Sequence, residues 1–167
     1  GEKGEATSSV AIATLFVEGK LTTFTTPKIS RLNGVARLGP SDLIACGDLG
    51  TIARIESRGI EVIGAICSAK LNAIAAMPKG GALTVGAGGH ALSLSSKLEP
   101  TLEAVQTTQE MFALWISEDG TAWGGSARAR VLRRSNSTWN RVSDLSQMHD
   151  VRAIWGTARF ARAICDD

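Results

Sequence analysis

Short apolar runs separated by polar, glycine-rich turns set the pattern of this chain, and no amphipathic helical period is sustained along it. The runs recur. LNGVARLGPSDLIACGDLG starts at Leu32, LNAIAAMPKGGALTVGAGG at Leu71, MFALWISEDGTAWGGS at Met111 and VRAIWGTARFARAICDD at Val151, so successive starts lie 39, 40 and 40 residues apart. A constant spacing of this size marks a repeat architecture. The columns agree as well. Position one is Leu32, Leu71, Met111 and Val151; position three is small, as Gly34, Ala73, Ala113 and Ala153; position four is Val35, Ile74, Leu114 and Ile154. Such spacing suits a short buried strand rather than a helical stripe. A small residue held in one column indicates crowding, as where the innermost strands of a propeller converge on its axis.

Each first strand is followed by a turn (GPSD, PKGG, SEDG) and a second apolar strand at 43–46, 83–85, 122–123 and 163–164. Glycine corners at Gly47 and Gly50, Gly86–Gly89 and Gly124–Gly125 lead into third strands at 51–55, 90–94 and 129–133. Glycine supplies the positive φ that tight connections need. Fourth strands follow at 60–66, 101–107 and 138–144. Four short strands in about 40 residues make one blade of a β-propeller. The one helix-like stretch, LEPTLEAVQTTQEMFALW, falls at a fourth-strand position, carries a Pro near its start and is rich in Thr and Val, so it reads as strand plus loop.

The chain therefore reads as all-β, a β-propeller of four-stranded blades, partial or half. Residues 1–9 form a polar leader, 10–31 a partial blade, 32–70, 71–110 and 111–150 blades, and 151–167 a second partial blade. In the first of these, VAIATLFVEGKLTTF matches second and third strands, with Gly19 in the place of Gly50, and 25–31 would be a fourth strand. The last ends within a second strand or its turn. Two closures follow. The last strand pairs with the first segment in a ring of about four blades, the lower limit, or the chain is part of a ring of six to eight, completed by a missing segment or a second copy. The second is preferred.

LNAIAAMPKGGALTVGAGGHALSLS resembles the propeller repeats of the photosystem II assembly/stability factor-like (BNR-like) family, with DLIACGDLGTIARI as its hairpin, SNSTW as its T-W corner and VRAIWGT as the W-G-T strand of related bacterial repeats. The resemblance spans roughly 10–167 and implies the fold; Trp is missing from the first two hairpins and Cys165 replaces a Gly. SEDGTAW (117–123) is similar to the Asp box of sialidases but is one residue short and lies between strands one and two, which implies related turn chemistry only. GGHALSL and EDGTAWGG echo regulator-of-chromosome-condensation repeats, whose period is longer.

Composition narrows the partners. Hydrophobic content is 44% and charged content 20%, ordinary for a globular domain. No window holds 18 consecutive apolar residues, so no membrane insertion is expected. A net charge of +2, no Tyr and 5% aromatics argue against a nucleic-acid partner. Gly1 in place of Met, and a polar opening segment, lead to the expectation of a processed or excised chain from an extracytoplasmic, secreted bacterial setting. Cys46, Cys67 and Cys165 are too few and too widely spaced for a disulfide framework or a zinc site and read as buried free thiols.

Candidate chemistry is sparse. His90 and His149 are the only histidines, and no metal or cofactor is expected. GAGG leads into a strand, not a helix, which removes the nucleotide reading. Asp48, Asp119, Asp166 and Asp167 sit at turns, where Asp bonds its own backbone, although paired carboxylates could serve glycoside hydrolysis. Asn136-Ser-Thr fits a glycosylation sequon. Arg128, Arg130, Arg133 and Arg134 cluster in SARARVLRR, with Arg128 and Arg130 on one strand face, as a solvated face or an anion contact. Arg128, Arg130, Arg133, Arg134, Asp119, Trp115 and Trp155 are the binding candidates. The leading function is a non-catalytic module that recognises a protein or glycan through rim loops near 36–42, 75–81, 116–121 and 156–161. A propeller glycosidase or lyase, and a half-ring that pairs with a second copy, are the alternatives.

Overall fold

The computed structural model describes residues 11–17, 20–26, 29, 31–144 and 149–166. Among them there is no α-helix, and seventeen strands form five sheets. A two-stranded sheet pairs β1 (Ala11–Val17) with β2 (Lys20–Thr26). A four-stranded meander follows: β3 (Leu32–Gly39), β4 (Asp42–Gly47), β5 (Thr51–Glu56) and β6 (Gly59–Ala65). The next contains β7 (Leu71–Ala76), β8 (Ala82–Gly86), β9 (Ala91–Leu94) and β10 (Pro100–Leu102). The third complete sheet runs through β12 (Met111–Ile116), β13 (Ala122–Ser126), β14 (Arg130–Ser135) and β15 (Thr138–Asp144), with β11 (Ala104–Val105) added at its outer edge. Finally, β16 (Val151–Gly156) pairs with β17 (Ala161–Cys165).

The repeat columns occupy equivalent places. Gly34 faces Cys46, Ala73 faces Val85, Ala113 faces Gly125 and Ala153 faces Ile164, and each first strand carries a bulge immediately before that residue. The bulge aims position one and position four at the same neighbouring sheet although they are three residues apart. Leu71, Ile74, Met111, Val151 and Ile154 are buried accordingly. The first strands β3, β7, β12 and β16 touch in succession, which puts them innermost. Crowding there is literal: a Cβ on Gly34 would lie 3.2 Å from the Cα of Ala73.

The core lies between sheets. Ile44, Cys46 and Ile52 pack on Leu71, Ile74, Leu92 and Leu94 of the next sheet. Leu83 and Val85 pack on Met111, Leu132 and Trp139, and Trp123 and Val131 on Val151 and Ile154. Cys46 is fully buried, and desolvation pushes its thiol up to about 11, so it behaves as an inert apolar side chain. Cys67 and Cys165 are half-buried free thiols.

Position two fastens neighbouring sheets. The Asn33 amide donates to the Leu71 carbonyl and to Asp48, both at 2.9 Å. Asn72 repeats this one sheet on, donating to the Met111 carbonyl at 2.9 Å and to Glu110 at 2.8 Å. In the third sheet the residue is Phe112, and the Arg152 guanidinium stacks 4.2 Å from its ring centre. Arg152 is held by Asp150 and Asp166.

The corners between second and third strands share one backbone path. Leu49 and Gly50, Gly88 and Gly89, and Arg128 and Ala129 all have positive φ. Asp48, Ala87, Ala127 and Asp166 each donate a backbone N–H to the residue preceding a first strand.

Two expectations are corrected. Residues 101–107 are not one fourth strand. β10 pairs antiparallel with β9, while β11 runs parallel to β15 of the following sheet. The break is Glu103, whose buried carboxylate accepts from Trp139 Nε1 at 2.7 Å and from Arg134 Nε at 2.8 Å. The opening hairpin is also not a second–third pair. Val17 faces Lys20 as Glu56 faces Gly59, Ser135 faces Thr138 and Gly39 faces Asp42, a two-residue spacing that second and third strands, joined by the longer corner, do not make. Of the fourth strand expected at 25–31, Thr25 and Thr26 end β2, Ile29 is outside any strand, and 27, 28 and 30 lie outside the described residues.

Asn72→Ala strands the Met111 carbonyl and is expected to cost roughly 1–3 kcal/mol in urea unfolding. At the corners the sign depends on the neighbour. A Cβ on Gly89 would overlap the Thr107 carbonyl, so Gly89→Ala is expected to lose more than ~2 kcal/mol. Ala129→Gly, which relieves a left-handed Ala, gains up to about 1 kcal/mol in the same measurement.

Candidate functional site

The loops between first and second strands gather at one rim, and between 117–121 and 157–160 they leave a cleft of about 410 Å³. Trp115 from β12 and Ser117, Glu118 and Asp119 from its loop line one side; Gly156, Thr157 and Ala158 line the other. Trp123, opposite Trp115 across the strand pair, donates its indole N–H to the Thr157 carbonyl at 3.1 Å and so fixes the facing loop. Arg133 lies over the Trp123 ring at 5.4 Å and donates to the Ala158 carbonyl.

Asp119 shapes this rim. Its carboxylate accepts from the Ser117 hydroxyl, from the Thr121 N–H at 2.9 Å and from the Thr121 hydroxyl at 3.2 Å. The loop closes through Ser117 N–H to the Thr121 carbonyl and Gly120 N–H to the Ser117 carbonyl. The Ser117 hydroxyl first, then the Thr121 N–H, with a smaller contribution from Arg133, hold the Asp119 carboxyl below its ordinary 3.8. A carboxylate kept ionised and saturated by its own loop is unsuited to donate a proton to a leaving group.

Of the sequence candidates, Trp115, Asp119 and Arg133 come together at this cleft. Arg128 is exposed in the corner at φ +60°, not on a strand, so it does not share a strand face with Arg130. Arg130 reaches Thr107 at 3.4 Å, and its buried Nε has no partner among the described residues. Arg134 points to the opposite face from Arg133 and is spent on Glu103. Trp155 is exposed on the β16–β17 sheet, away from the cleft lining. The arginine cluster thus divides among four separate environments, because a corner and strand alternation intervene. Glu118 and Thr157 escaped notice; the only available signal was their place in rim loops of the repeat.

The remaining candidates have structural partners. Asp48 receives Asn33, and Asp166 binds Arg152 and the Asp150 N–H; Asp167 lies outside the described residues. A His90 ring nitrogen lies 2.8 Å from the Ala87 carbonyl, and the His149 carbonyl accepts from Ala129 N–H. Among the described residues no three metal-ligating side chains cluster. Asn136 and Ser137 form the tip between β14 and β15, both at positive φ.

A second hollow, about 370 Å³, lies on the face of the first complete sheet, where Leu32, Asn33, Val35, Leu43 and Ile55 are overlooked by Ile12 and Thr14 of β1. Val35 is 60% exposed there, whereas Ile74 and Ile154, in the same column, are each 7% exposed.

No protein-family model and no curated protein matches the sequence. Solved structures do match in shape. The WD40 β-propeller domain of Doa1 superposes with a TM-score of 0.70 at 10% identity, over 88% of this chain and 51% of that one. YCF48 bound to D1 peptide gives 0.61 at 14% identity, over 80% and 47%. The extracellular domain of the hybrid two-component system BT4673 from B. thetaiotaomicron gives 0.61 at 10% identity, over 92% and 27%. The chain therefore has the β-propeller fold. It spans about half the length of the first two of these structures and about a quarter of the third.

Because Asp119 is lowered by bonds made only in the folded loop, its stabilising effect holds above 3.8 and fades as pH falls through its folded value. A carbon-13 NMR titration is expected to place Asp119 below 3.8, and Ser117→Ala to return it toward 3.8.

Proposed function

We propose that this chain is a non-catalytic binding module whose partner is a protein segment held at the rim cleft between the 117–121 and 157–160 loops. The observation that carries this reading is the cleft itself. A half-buried Trp ring, a carboxylate and the exposed Glu118 face a fixed backbone loop, the mixture of apolar floor and polar edge that holds peptides. YCF48, of the same fold, is seen with a peptide bound. A glycan is the competing ligand, since Trp with carboxylates also suits sugars. An enzymatic role is disfavoured by the saturation of Asp119.

A second reading concerns assembly rather than the rim: a half-ring that pairs with another copy. It is favoured by Ile164, 54% exposed where Cys46 and Val85, in its column, are fully buried.

A random peptide library displayed on phage, selected on the immobilised chain, tests the first reading. Enriched peptides are expected to bind in solution and to lose at least tenfold in affinity with Trp115→Ala. Enrichment of none, or binding indifferent to Trp115→Ala, counts against it, as does product release from a glycan panel that Asp119→Asn abolishes.

A further inference from the structure

Resting on the first reading, we propose that the rim cleft is built for one kind of side chain in the bound segment: an arginine whose guanidinium lies on Trp115 and pairs with Glu118.

The neutral polar groups of the cleft are already spent. The Ser117 hydroxyl serves Asp119 and the Thr121 carbonyl. The Thr157 N–H donates to the Phe160 carbonyl, and the Thr157 hydroxyl accepts from Arg159 N–H at 3.2 Å and Phe160 N–H at 3.4 Å. The Thr157 and Ala158 carbonyls accept from Trp123 and Arg133. A ligand that offers only neutral donors and acceptors, such as sugar hydroxyls, finds few partners here. What the lining still offers is an indole and two carboxylates.

Elsewhere in this chain such groups are matched from within. Trp123 carries Arg133, Phe112 carries Arg152 and Phe160 carries Arg162. Asp42, Glu103, Asp150 and Asp166 each hold an arginine, and Glu110 holds a lysine. Among the described residues, no arginine lies over Trp115, and no arginine or lysine is within ion-pair distance of Glu118 or Asp119. Asp119 is bonded by neutral donors, which leave its charge in place. Arg133 acts on it only as a minor influence and is itself engaged with Trp123 and Ala158. Arg159 and Arg162 stand on the facing hairpin outside the lining. The lining thus carries two negative charges and no positive one. It lacks the partner that this molecule supplies to its other aromatic rings and carboxylates.

A guanidinium fits better than an ammonium. It is planar and weakly hydrated, so it lies flat on an indole while its N–H edge meets a carboxylate through two parallel bonds. The cleft, about 410 Å³, admits the side chain with part of its backbone.

Two capped peptides test this, acetyl-Gly-Ser-Arg-Ser-Gly-amide and its citrulline counterpart, which keeps the shape and removes the charge. Each is titrated into the whole chain and followed by NMR at the Trp115 indole N–H. The arginine peptide is expected to saturate, with the citrulline peptide about tenfold weaker. Glu118→Gln alters an exposed side chain that makes no bond of its own, and is expected to erase the difference with the remaining resonances unmoved. A lysine peptide that binds as well as arginine overturns the stacked guanidinium. Equal binding of the citrulline peptide, or a preference that survives Glu118→Gln, overturns the inference altogether. Phage-selected peptides that need Trp115 but carry no arginine also overturn it, and leave the peptide-binding reading standing. If no peptide titrates and the library yields none, that reading falls with it.

Discussion

Everything in this fold depends on how closely one innermost strand approaches the next. At Gly34 position three is held small because the Cα of Ala73 stands 3.2 Å from where a Cβ would lie. That approach brings the Asn of position two within hydrogen-bond distance of the next sheet's first carbonyl. The bond satisfies a carbonyl that would otherwise be stranded at the start of a strand. The bulge just upstream turns positions one and four into the same interface, and the core between sheets follows. Where position two becomes Phe112, an arginine from the next sheet takes over the fastening by stacking rather than by hydrogen bonding.

Much of this architecture was legible in the residues. The small column, the Leu/Met/Val column and the 39–40-residue spacing locate all four first strands, because each reflects the same steric limit repeated. The corner glycines were legible too, since positive φ selects Gly at Gly50, Gly88 and Gly89. The third corner was harder to read because it takes the same path with Arg128 and Ala129. The opening hairpin was misplaced for a related reason: Gly19 suggested a corner, but what distinguishes a corner from a hairpin is the number of residues between paired strand ends, and composition alone does not register it. The split of 101–107 was invisible because its cause, Glu103, bonds residues more than thirty positions away.

The candidate site was less legible than the fold. Clustering along the chain says little about clustering in space when a corner and an alternating strand lie within seven residues, and Arg128–Arg134 covers both. Arg134 illustrates the cost. With Glu103 fully desolvated, the pair is a matter of mutual neutralisation inside the molecule and leaves no charge for a ligand. Asp119 was legible as a turn residue because Ser, Asp, Gly and Thr at that spacing can saturate one carboxylate locally. The facing loop, Gly156–Ala158, belongs to the site because Trp123 and Arg133 anchor it from the neighbouring sheet.

The strand β11 has a consequence for how the molecule comes apart. Repeat architectures tend to lose their units one at a time, each governed by its contacts with nearest neighbours. Here a segment that leaves the second complete sheet is woven into the edge of the third and bolted there by Glu103. The two sheets are thereby coupled beyond what their facing side chains provide, so heat or mechanical load would release them as one cooperative block, while the first sheet, which has no such strap among the described residues, melts on its own terms.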